Sequence, residues 1–328
     1  MSERRRIVLQ AAKKIEDAAR AGQALDLSEH RLDEWWFGVT VLLSAGRLEA
    51  GEWGLRRLRQ GFPRFPYAGW LLKLLDLMPP AGAQTPFRPR PESEVQVARR
   101  EGARTTLVCF AGGGQVGTGV PLPILHRWLG LLDVNLVYLR SPRLTDFYLG
   151  GLKGLGSGAS GLASGLRALL TDLGAERTLA YGTSSGAFAA IRYGLEVGAE
   201  AILALGAPTD MTPGFNQHLL LADVAARLSA AFPGEPLDLR PLVAAADPPP
   251  RLTLVYGDAC WNDRIYVEHL AGLPGVELHP VDDFEGHHVA MELLLRGEFM
   301  ALMESFVATR PPVAAAGAGG QAGARGEG

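Results

Sequence analysis

From about Arg104 onward, short apolar segments alternate with amphipathic ones, and no other feature of this 328-residue sequence restricts the possible folds as much. Short buried strands separated by helices predict a mainly parallel sheet covered by helices on both faces. The long span 207–250 between two strands is an insertion that could form a small lid. The strands are predicted at 106–111, 135–140, 178–182, 201–206, 252–257 and 276–281, and the helices at 124–132, 162–173, 187–197, 220–232, 263–271 and 289–306.

Residues 1–80 have apolar positions at helical spacing without strand-like alternation, which predicts a small all-helical region. Its rhythm of helix, short turn, helix and proline is typical of a tetratricopeptide pair, although no second copy follows at the expected period of about 34 residues. The alternative is a plain helical bundle packed on the next domain. We interpret Trp35, Trp36, Trp53 and Trp70 as core residues.

Composition divides the rest of the chain. Residues 81–104 are rich in proline and polar groups and are predicted to form an extended linker. Residues 105–310 are expected to form the α/β domain, and the low-complexity residues 311–328 a disordered tail.

The overall balance of residues excludes several classes of protein. The chain is 47% hydrophobic with 20% charged residues and a net charge of −3, which favours a sizeable core and no nucleic-acid partner. Cys109 and Cys260 are too far apart for a disulfide framework or a zinc site. The basic start lacks the continuous apolar core of a signal peptide, and no run could span a membrane, so a cytoplasmic protein is expected.

Residues 182–186 read Gly-Thr-Ser-Ser-Gly, a G-x-S-x-G motif between a short strand at 178–181 and an apolar helix. Strand, tight turn and helix are the context of a nucleophile elbow, with Ser184 as the nucleophile. A Cβ atom at Gly182 or Gly186 is expected to collide with the adjoining strand and helix backbone. The alternative is a glycine-rich turn that closes an ordinary βα unit.

In a parallel α/β sheet, ligands bind beyond the carboxyl ends of the strands. The first strand is followed there by 110–115, Phe-Ala-Gly-Gly-Gly-Gln, where successive glycines leave backbone N–H groups uncovered. Such groups stabilise a developing oxyanion. We expect the N–H of Ser185 to act together with that of Ala111 or Gly112.

The same loop permits a second interpretation. Gly112, Gly114 and Gly117 satisfy G-x-G-x-x-G after a strand, which is a dinucleotide signature. NAD binding requires an acidic residue at the end of the next strand, where this chain has Arg140. An arginine could accept the NADP phosphate, but two prolines crowd the start of the following helix.

Three carboxylates are candidates for the acid that orients a catalytic histidine. Asp263 opens the helix after the strand at 252–257 and is the preferred candidate, although an Asp there is also a common helix cap. Asp258 stands at the end of that strand. Asp210 follows the preceding strand.

The last strand is followed by Gly286-His287-His288, the position that a general base would occupy. His287 is the preferred base because Gly286 allows a sharp turn toward the sheet, and His288 is the alternative. Paired histidines can bind a metal, but no H-E-x-x-H or H-x-H spacing accompanies them, so no metal is expected.

Together these motifs resemble the α/β-hydrolase superfamily over residues 105–308, and most closely bacterial members with a helical N-terminal region. The matching positions are 110–115 for the oxyanion loop, 182–186 for the elbow, Asp263 for the acid and His287 for the base. The resemblance implies the α/β-hydrolase fold, hydrolysis of a carboxylic ester or thioester, and no metal or organic cofactor. Two departures are Phe110, where lipases commonly have His, and Cys260, which occupies the usual position of the acid.

Two functional hypotheses follow from these features. In the first, the protein is a serine hydrolase acting on a small-molecule or acyl-carrier substrate. Loop aromatics at Phe147, Tyr148, Phe215 and Trp261 then suggest an apolar acyl or aromatic pocket. In the second, a non-catalytic scaffold carries a hydrolase-like domain and recruits a protein partner through residues 1–80, since the superfamily also contains members without catalysis.

Overall fold

The computed structural model describes residues 3–112, 120–143, 145–249 and 251–308. Most of the glycine loop, including Gly114 and Gly117, lies outside the described residues, as does the predicted tail. Four helices form what we call the N-terminal layer: α1 (Glu3–Ala21), α2 (Leu32–Ser44), α3 (Leu48–Gly61) and α4 (Pro66–Leu77). The all-helical prediction for this region is thus confirmed for its described part.

A seven-stranded sheet follows, in the order β1-β3-β2-β6-β7-β8-β9. All neighbours pair in parallel except β1 and β3, which are antiparallel. A separate two-stranded ribbon pairs β4 with β5. The strands are β1 (Val95–Ala98), β2 (Thr105–Phe110), β3 (Asn135–Leu139), β4 (Gly151–Leu152), β5 (Gly156–Ser157), β6 (Arg177–Thr183), β7 (Ala201–Leu205), β8 (Arg251–Gly257) and β9 (Val276–Val281).

Helices cover both faces of this sheet, as the alternating pattern predicts. Adjacent residues of one strand face opposite cores: Leu107 packs with the N-terminal layer, whereas Val108 packs with the helices of the other face. The first face carries α5 (Leu122–Leu129), α12 (Val289–Arg296) and α13 (Phe299–Ala308). The second carries α6 (Gly158–Asp172), α7 (Ser185–Glu196), α9 (Ala222–Ala231), α10 (Arg240–Ala244) and α11 (Trp261–Leu270), while α8 (Pro213–Asn216) lies in the insertion before α9.

Two differences from the sequence prediction concern segments to which it assigned another structure. Residues 95–98, inside the span predicted as a linker, form the edge strand β1, with Val95 opposite Leu139. The single helix predicted at 289–306 is two helices, because Gly297 adopts a left-handed conformation with φ of 77° and ends α12. Both features were overlooked because one is a four-residue strand beside a proline-rich run and the other depends on a single glycine.

The proline-rich segment is fastened to the α/β domain along its length. Arg127 Nε donates to the carbonyl of Pro79 over 3.0 Å, and Thr85 N donates to the carbonyl of Gly130 over 2.8 Å. His126 Nε2 lies 2.8 Å from the Thr85 carbonyl. The N-terminal layer therefore continues into a segment that is held in place, and its apolar residues join one core with the sheet.

Cys109 and Cys260 are both free and buried. Within the described ranges, no helix is both long enough and apolar enough to cross a lipid bilayer.

Candidate active site

Ser184 joins β6 to α7 in a strained conformation, with φ of 52° and ψ of −126°. A non-glycine residue with positive φ is unusual and is typical of functional turns. A Cβ added to Gly182 would lie 2.1 Å from the Gly186 carbonyl oxygen, and one added to Gly186 would lie 2.3 Å from that of Phe110. The collisions predicted for the two motif glycines are confirmed.

His287 reaches Ser184 from the loop between β9 and α12. Its Nε2 lies 2.8 Å from Ser184 Oγ, which is hydrogen-bonding distance for transfer of the serine proton. Gly206, at the end of β7, has a positive φ, and an added Cβ would lie 3.1 Å from the His287 ring. The missing side chain at Gly206 therefore leaves the space that the imidazole needs.

Asp263, in the first turn of α11, contacts the other ring nitrogen. His287 Nδ1 lies 2.8 Å from Oδ1 and 3.0 Å from Oδ2 of Asp263. The carboxylate side chain is only 2% exposed, whereas that of His287 is 39% exposed. Burial opposes protonation of the imidazole, but the hydrogen bond and the negative charge of Asp263 outweigh it and raise the pKa of His287.

The two alternative acids have other partners. Asp258 Oδ1 accepts the backbone N–H of Phe284 over 3.2 Å, and this bond lowers the pKa of the Asp258 carboxyl. Asp210 Oδ1 accepts the N–H of Thr212 over 2.7 Å, and its Oδ2 lies 4.0 Å from His269. Among the described contacts, neither carboxylate touches His287.

His288, the alternative base, contacts the N-terminal layer and has no described hydrogen bond to Ser184. Its Nε2 lies 3.3 Å from the Tyr67 hydroxyl of α4, and the two rings meet edge to face. Burial and the neighbouring His287 lower the pKa of His288, which favours the neutral imidazole. A neutral Nε2 can accept the Tyr67 hydroxyl proton.

The structure separates the two candidates for the loop-side oxyanion donor. The N–H of Ala111 donates to the Leu139 carbonyl over 2.9 Å as part of the sheet, which leaves Gly112 as the loop-side candidate. A Cβ added to Gly112 would lie 3.5 Å from the Cβ of Ser184, which places this backbone beside the nucleophile. Within the described ranges, neither Gly112 N nor Ser185 N donates to another residue.

Tyr148 contacts the backbone at the start of this loop. Its buried hydroxyl lies within hydrogen-bonding distance of two carbonyl oxygens, that of Ala111 at 2.7 Å and that of Leu139 at 2.9 Å, and its single hydrogen is shared between them. Phe147 is also buried, in the core against Phe188. These two loop aromatics are therefore part of the core and do not line the pocket that the sequence suggested.

A cavity of about 680 Å³ opens over Ser184. The α/β domain contributes Gly112, Ser184 and His287 to its lining, and the N-terminal layer contributes the facing wall. That wall comes from α2 and from α4 with the residue before it, and its apolar members include Leu32, Trp36, Phe37, Phe65, Tyr67 and Leu71. No described residue of the 207–250 insertion lines the cavity, so the predicted lid does not cover it in this structure.

Sequence reasoning missed this wall and placed the pocket aromatics elsewhere. Phe215 packs on Tyr266 and His269, and Trp261 is 56% exposed outside the cavity. A usable signal was the Trp35-Trp36 pair, because consecutive helical residues point about 100° apart and cannot both face one core. Trp35 is fully buried, and Trp36 lines the cavity.

Solved structures decide the architecture. Esterase B from Lactobacillus rhamnosis matches 79% of this chain and 96% of its own with a TM-score of 0.50 and 14% identity. The same esterase inhibited by a tributyrin phosphonate matches 77% and 94%, again with a TM-score of 0.50 and 14% identity. The chain has the α/β-hydrolase fold. An α/β-hydrolase from the sediment metagenome of the Mar Chica lagoon, Morocco, gives a TM-score of 0.45 at 15% identity over 65% and 94%.

No protein-family model matches the sequence, and no curated protein does either. At these identities, the structural likeness establishes the α/β-hydrolase fold alone.

The carboxylate that contacts His287 lies three positions after the one that the family resemblance implies for the acid. Cys260 occupies the usual position, immediately before α11, where it is buried, and burial raises the pKa of its thiol. Asp263 lies almost one helical turn further on and reaches His287. The turn of α11 therefore compensates for the departure seen in the sequence.

The remaining charged candidates have structural partners. The Arg140 guanidinium, considered for an NADP phosphate, donates to the carbonyls of Pro91, at 2.6 Å, and Ser93, at 2.8 Å. Asp210, Asp238 and His269 form a group that could hold a metal ion, but His269 Nε2 lies 2.9 Å from Asp238 Oδ1 and bonds to it directly. Neither set of residues lines the cavity over Ser184.

Proposed function

We propose that this protein is a serine hydrolase that cleaves a carboxylic ester or thioester through Ser184, His287 and Asp263. The observation that carries the proposal is the continuous chain of hydrogen bonds from Ser184 Oγ through both ring nitrogens of His287 to a buried carboxylate. The chain ends at a serine on a strained turn that opens into a cavity. A purely structural polar cluster requires neither the strain nor the access.

Catalysis would proceed in two balanced steps. Ser184 Oγ attacks the acyl carbonyl carbon while its proton passes to His287 Nε2, and the C–O or C–S bond then breaks as the leaving group takes that proton. Water repeats the sequence on the acyl-enzyme, which releases the carboxylic acid and restores Ser184. Asp263 holds the imidazole tautomer and stabilises the imidazolium.

Two backbone N–H groups are suited to the oxyanion that forms in each step. Gly112 lies beside Ser184 in space, and Ser185 follows it in the sequence. Neither N–H is used by another described residue. Donors of this kind contribute about 3–4 kcal/mol of transition-state stabilisation each. A metal or organic cofactor has no role in this mechanism.

The lining of the cavity argues against the scaffold hypothesis. It depended on an N-terminal region without a catalytic task, whereas the N-terminal layer lines the cavity over Ser184. A role for that layer within the chain supports the catalytic proposal.

The test is labelling of the purified protein with a fluorophosphonate, followed by mass spectrometry of the modified peptide. We expect modification at Ser184 alone, and we expect Ser184→Ala to lower hydrolysis of p-nitrophenyl butanoate by at least about a thousandfold without changing the thermal melting point. The matched control is Ser160→Ala, which alters an exposed serine of α6. Labelling elsewhere, or full activity of Ser184→Ala, would contradict the proposal.

A further inference from the structure

The cavity over Ser184 has walls from two parts of the chain that are far apart in sequence. One wall is the α/β domain, which supplies the reactive groups. The other is the N-terminal layer, whose contribution is dominated by aromatic rings. A substrate attached to Ser184 must therefore extend against side chains that take no part in the proton transfers.

The aromatic wall is held together by its own contacts. The Trp36 ring lies 5.1 Å from that of Phe65 and 5.9 Å from that of Tyr67, and Phe65 and Tyr67 are 5.4 Å apart. Such edge-to-face and tilted pairs stabilise fixed ring positions. Tyr67 also contacts His288, which links α4 to the loop that carries the base. The wall and the catalytic groups thus have a fixed relative position.

The charges of the lining residues argue against an ionic substrate. Arg31 and Asp33 are the charged side chains among the described lining residues, histidines aside, and Arg31 Nε lies 3.1 Å from Asp33 Oδ1. The pair lies at the rim, with Arg31 79% exposed. No unpaired cation remains among these residues to receive a carboxylate or phosphate on the substrate.

The size of the cavity argues against a very short acyl group. Pockets of about 300–1,000 Å³ enclose most of a drug-sized ligand. An acetyl group on Ser184 would leave most of a 680 Å³ cavity empty. A longer acyl chain would remove apolar surface of both the substrate and the cavity wall from water. Each methylene that becomes buried is expected to raise kcat/KM about fourfold.

We propose that the N-terminal layer is the acyl-recognition element of the enzyme and that its substrates are neutral esters or thioesters with an apolar acyl chain of medium length. This inference rests on the proposed serine hydrolase function. The acyl side is favoured because the leaving group departs with a proton from His287, whereas the acyl group stays on Ser184 through deacylation. The wall can therefore contribute to both acylation and deacylation only if it binds the acyl group.

The experiment compares p-nitrophenyl acetate, butanoate and octanoate on the full-length protein, with ethyl octanoate against octyl acetate as a pair of equal carbon count. We expect kcat/KM for octanoate to exceed that for acetate by at least about 50-fold. We expect ethyl octanoate to be cleaved faster than octyl acetate. Equal rates along the acyl series would overturn the inference, and so would a preference for octyl acetate.

Two substitutions in the wall are expected to act in opposite ways. Trp36→Ala removes a wall ring and should lower kcat/KM for octanoate at least tenfold, and by a clearly larger factor than it lowers that for acetate. Thr40→Phe adds a ring at a half-buried lining position and should move the preferred chain toward butanoate. The control is Trp261→Ala, which removes an exposed tryptophan outside the cavity and should leave the chain-length profile unchanged.

A binding measurement separates this inference from the catalytic proposal. Calorimetry on the Ser184→Ala protein should detect octanamide and not acetamide, and Trp36→Ala in that background should weaken octanamide binding. Octanamide binding without hydrolysis by the wild type would support the cavity assignment while contradicting the hydrolase. Hydrolysis of acetate through Ser184 without octanamide binding would support the hydrolase and contradict the assignment of the cavity to the acyl chain.

Discussion

Single side chains determine whether Ser184 can lose its proton. His287 Nδ1 faces Asp263, so the ring hydrogen belongs there and Nε2 is left as the acceptor. Which carboxylate occupies this position is decided by distance alone, since Asp258 and Asp210 are chemically equal to Asp263. The proposal that Asp263 is the acid can therefore be tested by comparing Asp→Asn variants at these positions.

We expect Asp263→Asn to lower kcat about 10³–10⁴-fold, because the amide can donate to Nδ1 and favour the tautomer with hydrogen on Nε2. The matched variant Asp258→Asn should lose less than about tenfold, since its amide oxygen can still accept the N–H of Phe284. Steady-state kinetics on p-nitrophenyl butanoate provides the ranking. A larger loss in Asp258→Asn would move the acid to that residue.

The pH profile supplies a second readout of the same pair. Burial opposes and Asp263 favours the imidazolium, and the net result is a raised pKa of His287. In the proposed mechanism the neutral imidazole is the base, so kcat/KM should fall as the pH drops through a midpoint above about 6.5, the ordinary histidine value. In Asp263→Asn the residual activity should have its acid limb at lower pH, and an unmoved limb would contradict the pairing.

The elbow between β6 and α7 shows how local sterics position the nucleophile. Gly182 and Gly186 allow strand and helix backbones to approach within distances that a Cβ would prevent. Ser184, with φ of 52°, joins the two elements at this close approach. The motif glycines are therefore required for packing, before any chemistry is considered.

Gly186→Ala is expected to destabilise the protein by about 1–3 kcal/mol and to remove most activity, because the new Cβ would lie 2.3 Å and 2.6 Å from the carbonyl oxygens of Phe110 and Ala111. Urea unfolding followed by circular dichroism measures the change. The control is Gly69→Ala in α4, where no atom lies within 4 Å of the new Cβ. That change should raise the stability by about 0.5–1 kcal/mol, and equal effects at both sites would refute the steric argument.

At the scale of the whole molecule, one of the two apolar cores is shared by the N-terminal layer and one face of the sheet. Residues of α1 to α4 join those of α5, α12 and α13 in a single cluster. The layer also completes the cavity over Ser184. The helical region and the α/β domain therefore depend on each other for both stability and the proposed specificity.

Removal of residues 1–78 is expected to expose the apolar surfaces of α5 and α12. Exposure of even two large apolar side chains costs about 3 kcal/mol, which lowers the melting temperature by roughly 6–12 °C in a chain of this size. Differential scanning calorimetry and solubility measure the loss. A truncated protein that melts at the wild-type temperature would mean that the layer is an independent unit.

Local patterns in the sequence determined the alternating strands and helices and the strand–turn–helix around Ser184. These are set by side-chain periodicity and by sterics between near neighbours, so a short window contains the information. The edge strand β1 was not predictable in this way, because four residues beside prolines become a strand only when β3 is there to pair with them.

Tertiary structure decided the choices that depend on distant partners. It places Asp263, and neither of the two equivalent carboxylates, against His287, and it uses the N–H of Ala111 within the sheet. It also lines the cavity with aromatic rings of the N-terminal layer instead of those of the loops. Each choice is made by the relative placement of segments that are far apart in the chain, which follows from strand register and from helices packing on a common core. Composition and residue spacing do not contain that placement. The same residues contact different partners when a different strand or helix packs beside them.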